Sequence, residues 1–139
     1  MKPSATRRTR RPSPQHDAVL AVLRTARRPL SASELQQRAQ RCCSHIGIAT
    51  VYRVLHMLAA GAQVRQICVP NGSVYYERCG PTPHDHLYCT RCKHVHCLAP
   101  CRVILRGSEA RQVRVTGRAL LLYGTCAACT SAGQRCRDR

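Results

Sequence analysis

The stretch IATVYRVLHMLAAG, residues 48–61, reads as a helix with one buried face. Val51, Val54, Leu55 and Leu58 recur at i, i+3, i+4 and i+7, the spacing that lines one side of an α-helix. Gly61 is the expected C′ residue, because glycine enters the left-handed conformation that ends many helices without steric cost. Thr50, Arg53 and Met57 fall on a second side, and Tyr52 and His56 on a third. Working outward, Ser13-Pro14 offers an N-cap followed by a first-turn proline. Ala18, Val19, Val22 and Leu23 then follow at helical spacing until Pro29 closes the segment. Ser31-Ala32-Ser33-Glu34 is a capping box that opens a second helix to about Arg41. Downstream, residues Val64 to Val69 and Ser73 to Cys79 read as strands around Pro70-Asn71-Gly72, a hairpin turn. Three helices and a hairpin make a winged helix-turn-helix, whose third helix enters a DNA major groove. A plain helical bundle with an incidental hairpin is the alternative.

Charge argues against that alternative. Lys and Arg number 23 against six acidic residues, a net +17. Such an imbalance says little about fold and much about polyanionic partners. The longest apolar runs, such as Ala18 to Leu23 and Ala119 to Tyr123, are too short to span a bilayer. No apolar signal segment follows the Arg-rich start, so the expected setting is intracellular. Eleven cysteines in such a setting point to metal ligation or thiol chemistry instead of a disulfide framework.

The organisation expected from texture is α+β. A basic, disordered arm covers 1–12, a winged helix 13–79, a hinge of Gly80-Pro81-Thr82-Pro83 follows, and a second small domain covers 84–130 before a loose tail, 131–139. Short β-like segments mark the second half at His94 to Leu98, Val113 to Thr116 and Ala119 to Tyr123, with a weak helical stretch over about Arg102 to Arg111. Cys89-x-x-Cys92 and Cys126-x-x-Cys129 each aim two thiolates at one point, and together they complete a tetrahedral sulfur site for one structural zinc per chain. A redox pair would need one such motif beside a βαβ pattern, which is missing. Hydrolytic zinc would need an open coordination position and a carboxylate base, and no acidic residue sits in such a pattern. His84 and His86 share one face of an extended segment. With Cys79 just upstream, they point to a second, divalent metal site. His94 and His96 read as strand surface, and Cys42, Cys43 and Cys136 as plain small residues.

Taken together, these motifs resemble the ferric-uptake-regulator family of bacterial metal-sensing repressors, over roughly residues 13–130. Ser13-Pro14-Gln15 looks like its opening segment and Ile46-Gly47-Ile48-Ala49-Thr50-Val51-Tyr52-Arg53 like its recognition-helix motif. His84-Asp85-His86-Leu87-Tyr88-Cys89 and Leu122-Tyr123-Gly124-Thr125-Cys126 complete the pattern. The resemblance implies a cytoplasmic homodimer that reads a palindromic operator in double-stranded DNA and dimerises around the four-cysteine zinc. It implies a regulatory ion at the hinge, and no enzymatic activity. Thr50, Tyr52 and Arg53 are then the DNA-contacting candidates. Cys79 resembles the zinc-uptake subfamily, where iron sensors carry a carboxylate, and thiolate with imidazole suits zinc. Cys97 sits where some relatives place a Glu ligand, so the expected regulatory set is Cys79, His84, His86 and Cys97, with Cys101 and Cys68 as fallbacks.

Departures are visible too. His16 stands where the family usually has Arg. Arg65 falls where zinc-sensing relatives supply a ligand. Pro83 and Arg118 replace histidines of a further site, which leaves Asp85 alone and implies that this site is lost. Alternatives are an iron or peroxide sensor of the same family, or a zinc-stabilised interaction or RNA-binding module. An RNA module would usually show stacking aromatics, and this chain has five tyrosines and no Phe or Trp.

Overall fold

A computed structural model of the chain describes residues 13–104, 107, 113–114 and 116–131. The arm 1–12 and the tail from 132 lie outside the described residues. Helix α1 runs Pro14–Thr25, with Ser13 as N-cap accepting the His16 N–H and Pro14 in the first turn. A two-residue strand, β1 (Leu30–Ser31), leads into α2 (Ala32–Ala39). Its capping box is complete, with Ser31 Oγ accepting from the Glu34 N–H while Glu34 Oε2 accepts from the Ser31 N–H at 2.8 Å. Helix α3 spans Ile48–Ala60, and Val51, Val54, Leu55 and Leu58 are its buried residues, as their periodicity requires. These side chains pack with Val19, Leu23, Leu30, Leu35 and Ile46 into one helical core.

The hairpin follows as β2 (Val64–Cys68) and β3 (Val74–Arg78), paired antiparallel from Val64↔Arg78 to Cys68↔Val74. Gly72 takes φ +82 in the turn, and Asn71 Oδ1 accepts the Ser73 N–H. Strand β1 adds to the free edge of β3, giving the order β1-β3-β2. This pairing is absent from the sequence reading, since two residues carry no periodicity.

A second sheet has the order β5-β4-β6. Strand β4 (Asp85–Cys89) pairs antiparallel with β5 (Val95–Leu98) and parallel with β6 (Leu121–Gly124), which runs into the short helix α4 (Ala127–Thr130). The strands expected at His94 to Leu98 and Ala119 to Tyr123 are thus β5 and β6, each starting slightly later. Residues 113, 114 and 116 form no strand, and 115 lies outside the described residues. Of the helix expected over 102–111, residues 102–104 and 107 are not helical and the remainder lies outside the described residues.

The two sheets meet through side chains. Ile67, Val69 and Tyr75 of the hairpin pack with Tyr88 and Val95 of the second sheet. Tyr75 donates to the Lys93 carbonyl at 2.5 Å, and Asn71 Nδ2 donates to the Tyr88 hydroxyl at 3.2 Å. The segment 79–84 connecting β3 to β4 has no regular structure. No helix among the described residues is long and apolar enough to cross a membrane.

Candidate metal centres

The turn after β4 and the start of α4 bring four thiols together. The sulfur atoms of Cys89, Cys92, Cys126 and Cys129 all lie within 4.8 Å of one another. Sulfurs around a tetrahedral zinc at about 2.3 Å would sit about 3.8 Å apart, and Cys92 Sγ is 4.0 Å from Cys126 Sγ. Lys93 makes the turn possible by adopting φ +62, with its N–H donating to the Cys89 carbonyl. Burial alone would push the Cys89 thiol up. Backbone N–H groups of Cys92, Cys126 and Arg91 oppose burial and bring it down to about 6. Cys89 is therefore largely thiolate at neutral pH, the form a metal takes. The donor set fits a closed sulfur site with no open coordination position.

A second convergence lies where β3 approaches the other sheet. Glu77 on β3, His84 in the connection, His86 on β4 and Cys97 on β5 present ligand atoms that also lie within 4.8 Å of one another. His86 and Cys97 are direct partners across β4 and β5, so their side chains share a face. Glu77 Oε2 is 2.9 Å from His84 Nε2 and 3.0 Å from His86 Nε2, and Cys97 Sγ donates toward it at 3.9 Å. The other oxygen, Oε1, is buried without a hydrogen bond, although Arg65 Nη1 stands 3.4 Å away. A buried carboxylate oxygen without a donor is what a divalent ion would satisfy.

The electrostatics follow from that crowding. Burial raises the Glu77 carboxyl, but hydrogen bonds from His86 and His84 outweigh it and hold the group below its ordinary value. The same bond to Glu77 lifts His84 above its ordinary value. Cys97 is exposed as a residue, yet its sulfur is turned against Glu77. Burial and the carboxylate charge push it up to about 11.

Three of the four expected regulatory residues, His84, His86 and Cys97, are brought together, and Cys79 is not among them. Strand β3 stops at Arg78, and the Cys79 N–H instead donates to the Gln63 carbonyl at 2.9 Å. Glu77 takes the place expected for Cys79, two residues earlier on the same side of the chain. Glu77 stands in no recognisable catalytic pattern in the sequence, and its parity with Cys79 is the one signal that points to it. The fallback Cys101 instead donates its N–H to Asp85, and Cys68 is exposed at the end of β2. Asp85 is buried and accepts from Arg118 at 2.8 Å, so a guanidinium faces the carboxylate of the further site. His94 and His96 are half-buried, unlike the surface positions expected. His94 stands beside Arg28 and Glu34, and His96 Nε2 is 3.8 Å from Cys92 Sγ.

On α3, Tyr52 and Arg53 are exposed and Thr50 is half-buried. With Ser13 and His16 from the start of α1, all three line an open cleft of about 980 Å³.

The profile of the ferric uptake regulator family matches residues 8–120. The ferric uptake regulation protein of Klebsiella pneumoniae is 34% identical over 101 residues, which cover 70% of this chain and 65% of that relative. Among solved structures, the Vibrio cholerae ferric uptake regulator is 29% identical with a TM-score of 0.65, covering 82% of this chain and 90% of the other. The Helicobacter pylori ferric uptake regulator shares the fold at a TM-score of 0.70 and 19% identity, over 88% of this chain and 83% of that one. By the extent of these matches, and by the ordered placement of α3 and the two cysteine pairs, the chain belongs to the ferric uptake regulator family.

Proposed function

We propose that the protein is a metal-responsive, DNA-binding transcriptional repressor, responding to zinc, that acts as a homodimer on a palindromic operator in the bacterial cytoplasm. Residues 13–79 serve as the winged-helix reader, 80–83 as hinge and 84–130 as the dimerisation and metal-binding unit. Cys89, Cys92, Cys126 and Cys129 hold a structural zinc. Glu77, His84, His86 and Cys97 hold the regulatory ion. Thr50, Tyr52 and Arg53 face the duplex, with Tyr52 at base edges and Arg53 at phosphate.

The observation that carries this reading is the meeting of Glu77 from the hairpin sheet with His86 and Cys97 from the other sheet and His84 from the connection between them. An ion held there contributes positive charge between two carboxylate- and thiolate-bearing walls. It shifts the arrangement of the halves only as far as it binds one arrangement better than another. The thiolate and two imidazoles favour zinc. The carboxylate Glu77, standing where a thiolate was expected, favours the second reading, an iron sensor.

The test is operator binding by the full chain titrated with zinc, ferrous iron and manganese against a chelator. Zinc should act at the lowest free concentration, Glu77→Gln and His86→Ala should lose the response, and Cys79→Ser should keep it. A response to iron at lower free concentration than zinc would replace the zinc reading. Loss in Cys79→Ser with retention in Glu77→Gln would overturn the ligand set.

A further inference from the structure

Against the second metal cluster lies a cleft of about 280 Å³ that shares Glu77, His84 and Cys97 with it and extends beyond them over a run of arginines. Its walls carry Arg24, Arg27, Arg28 and Arg78, and it opens onto His84 and Cys97. Arg28 is committed to Glu34 at 2.7 Å. Arg24, Arg27 and Arg78 are exposed and have no ion pair among the described residues. Glu77 is the single acidic residue lining the space, and its carboxylate is engaged by two histidines. The C-terminal end of α1 also contributes there, but its partial charge is only about half a unit negative. Uncommitted guanidiniums therefore outweigh every negative group on the walls.

We propose that this cleft binds a compact oxyanion carrying phosphate or carboxylate groups. Guanidinium forks match both groups in bidentate geometry. The volume falls just under the roughly 300–1,000 Å³ of small-molecule pockets, which suits a small ligand with two or three anionic oxygens. Duplex DNA is a poor fit. Ser13 and His16, at the other end of α1, line the recognition-side cleft with Tyr52 and Arg53, and a twelve-residue helix separates the two ends by about 18 Å. The walls come from α1 and β3 on one side and from Cys97 on the other, so a bound anion would touch both sheets' halves of the chain.

The experiment uses the full-length, zinc-saturated protein, with inorganic phosphate and tricarballylate as separate probes in calorimetry at fixed ionic strength. One of them should bind saturably at one site per chain, and which one does so identifies the phosphate or carboxylate source. Arg24→Ala with Arg27→Ala should weaken that binding by about tenfold or more, as expected for losing charge-assisted bonds. Arg41→Ala with Arg114→Ala removes the same charge from exposed positions outside the cleft and should change it by less than about twofold, since distant charges are screened. Equal loss in both pairs would mean diffuse attraction to a basic protein and would overturn the site, as would the absence of saturable binding to either probe. The proposal also fails if the cleft pair loses more duplex affinity than the control pair, because the arginines would then be meeting DNA phosphates.

Discussion

Cys97 and Cys89 are both thiols near a candidate ion, yet their surroundings drive them in opposite directions. Cys89 sits among backbone N–H donors and is brought down to about 6, whereas Cys97 faces a carboxylate and is pushed up to about 11. Metal capture by the Glu77 cluster therefore has to displace the Cys97 proton at neutral pH, and about one proton per ion should appear in the buffer. Zinc calorimetry in buffers of different ionisation enthalpy should show that proton in the wild type and lose it in Cys97→Ser. An unchanged proton count in the variant would remove Cys97 from the site. The pH dependence has its own sign. Without metal, raised His84 stabilises the fold fully below its ordinary 6.5 and loses that contribution as pH climbs through the raised value. Lowered Glu77 contributes above its ordinary 4.5 and loses its share as pH falls through the lowered value. The metal-free pair is thus strongest between 4.5 and 6.5. Metal needs neutral imidazole, so apparent zinc affinity should already be falling on acidification at pH values above 6.5. At this scale the sequence disclosed the types of residue that converge better than which residues they are. His84, His86 and Cys97 follow from spacing and resemblance, while the choice of Glu77 over Cys79 depends on where β3 ends.

The end of α3 shows the same limit at the scale of an element. The periodicity of Val51, Val54, Leu55 and Leu58 is enough to place the helix and its buried face, because both follow from the 3.6-residue repeat. Its stop is different. Gly61 keeps φ −85, and Ala62 takes the left-handed position at φ +53. The Gln63 N–H donates to the Leu58 carbonyl and the Ala62 N–H to the Ala59 carbonyl, the paired bonds of a Schellman motif with Ala62 at C′. A glycine one residue too early thus misled the reading, since the motif is set by where β2 must begin. The geometry leaves a Cβ in a strained region, costing about 1 kcal/mol. Ala62→Gly should relieve it and stabilise the chain by about 0.5 kcal/mol once the extra entropy of the unfolded glycine is subtracted. Thermal or urea unfolding checks this. A loss of stability would mean that Ala62 carries packing which the backbone geometry does not reveal. Strand β1 was illegible for a related reason: Leu30 and Ser31 pair with Tyr76 and Tyr75, partners far away in the sequence.

For the whole molecule, stability is divided between unlike sources. The helical core draws on residues from Ala18 to Tyr76 and contains no cysteine of the four-thiol cluster. The second sheet has Tyr88 and Val95 as its buried apolar residues in the cluster shared with the hairpin, and around the thiols the buried members are Cys89, Cys126 and Cys129 themselves. So small a core leaves the β5-β4-β6 sheet dependent on a staple. The four cysteines join the β4–β5 turn to the β6–α4 corner, at opposite ends of the intervening chain. The staple we propose is zinc in the four-cysteine site, which contributes on the order of 10 kcal/mol in small zinc domains. Removing it, by a strong chelator or by Cys92→Ser, should release β4, β5 and β6 while α1, α2 and α3 stay folded on their own core. Native-state hydrogen exchange separates the outcomes. Amides of β4 and β6 should lose protection on zinc removal, those of Val54, Leu55 and Leu58 should keep it, and the hairpin should fall between. The hairpin is intermediate because Tyr75 loses its bond to Lys93 while β3 remains paired with β2. Simultaneous loss of protection in α3 and β4 would show one cooperative unit, and the division of stability argued from the separate cores would be wrong.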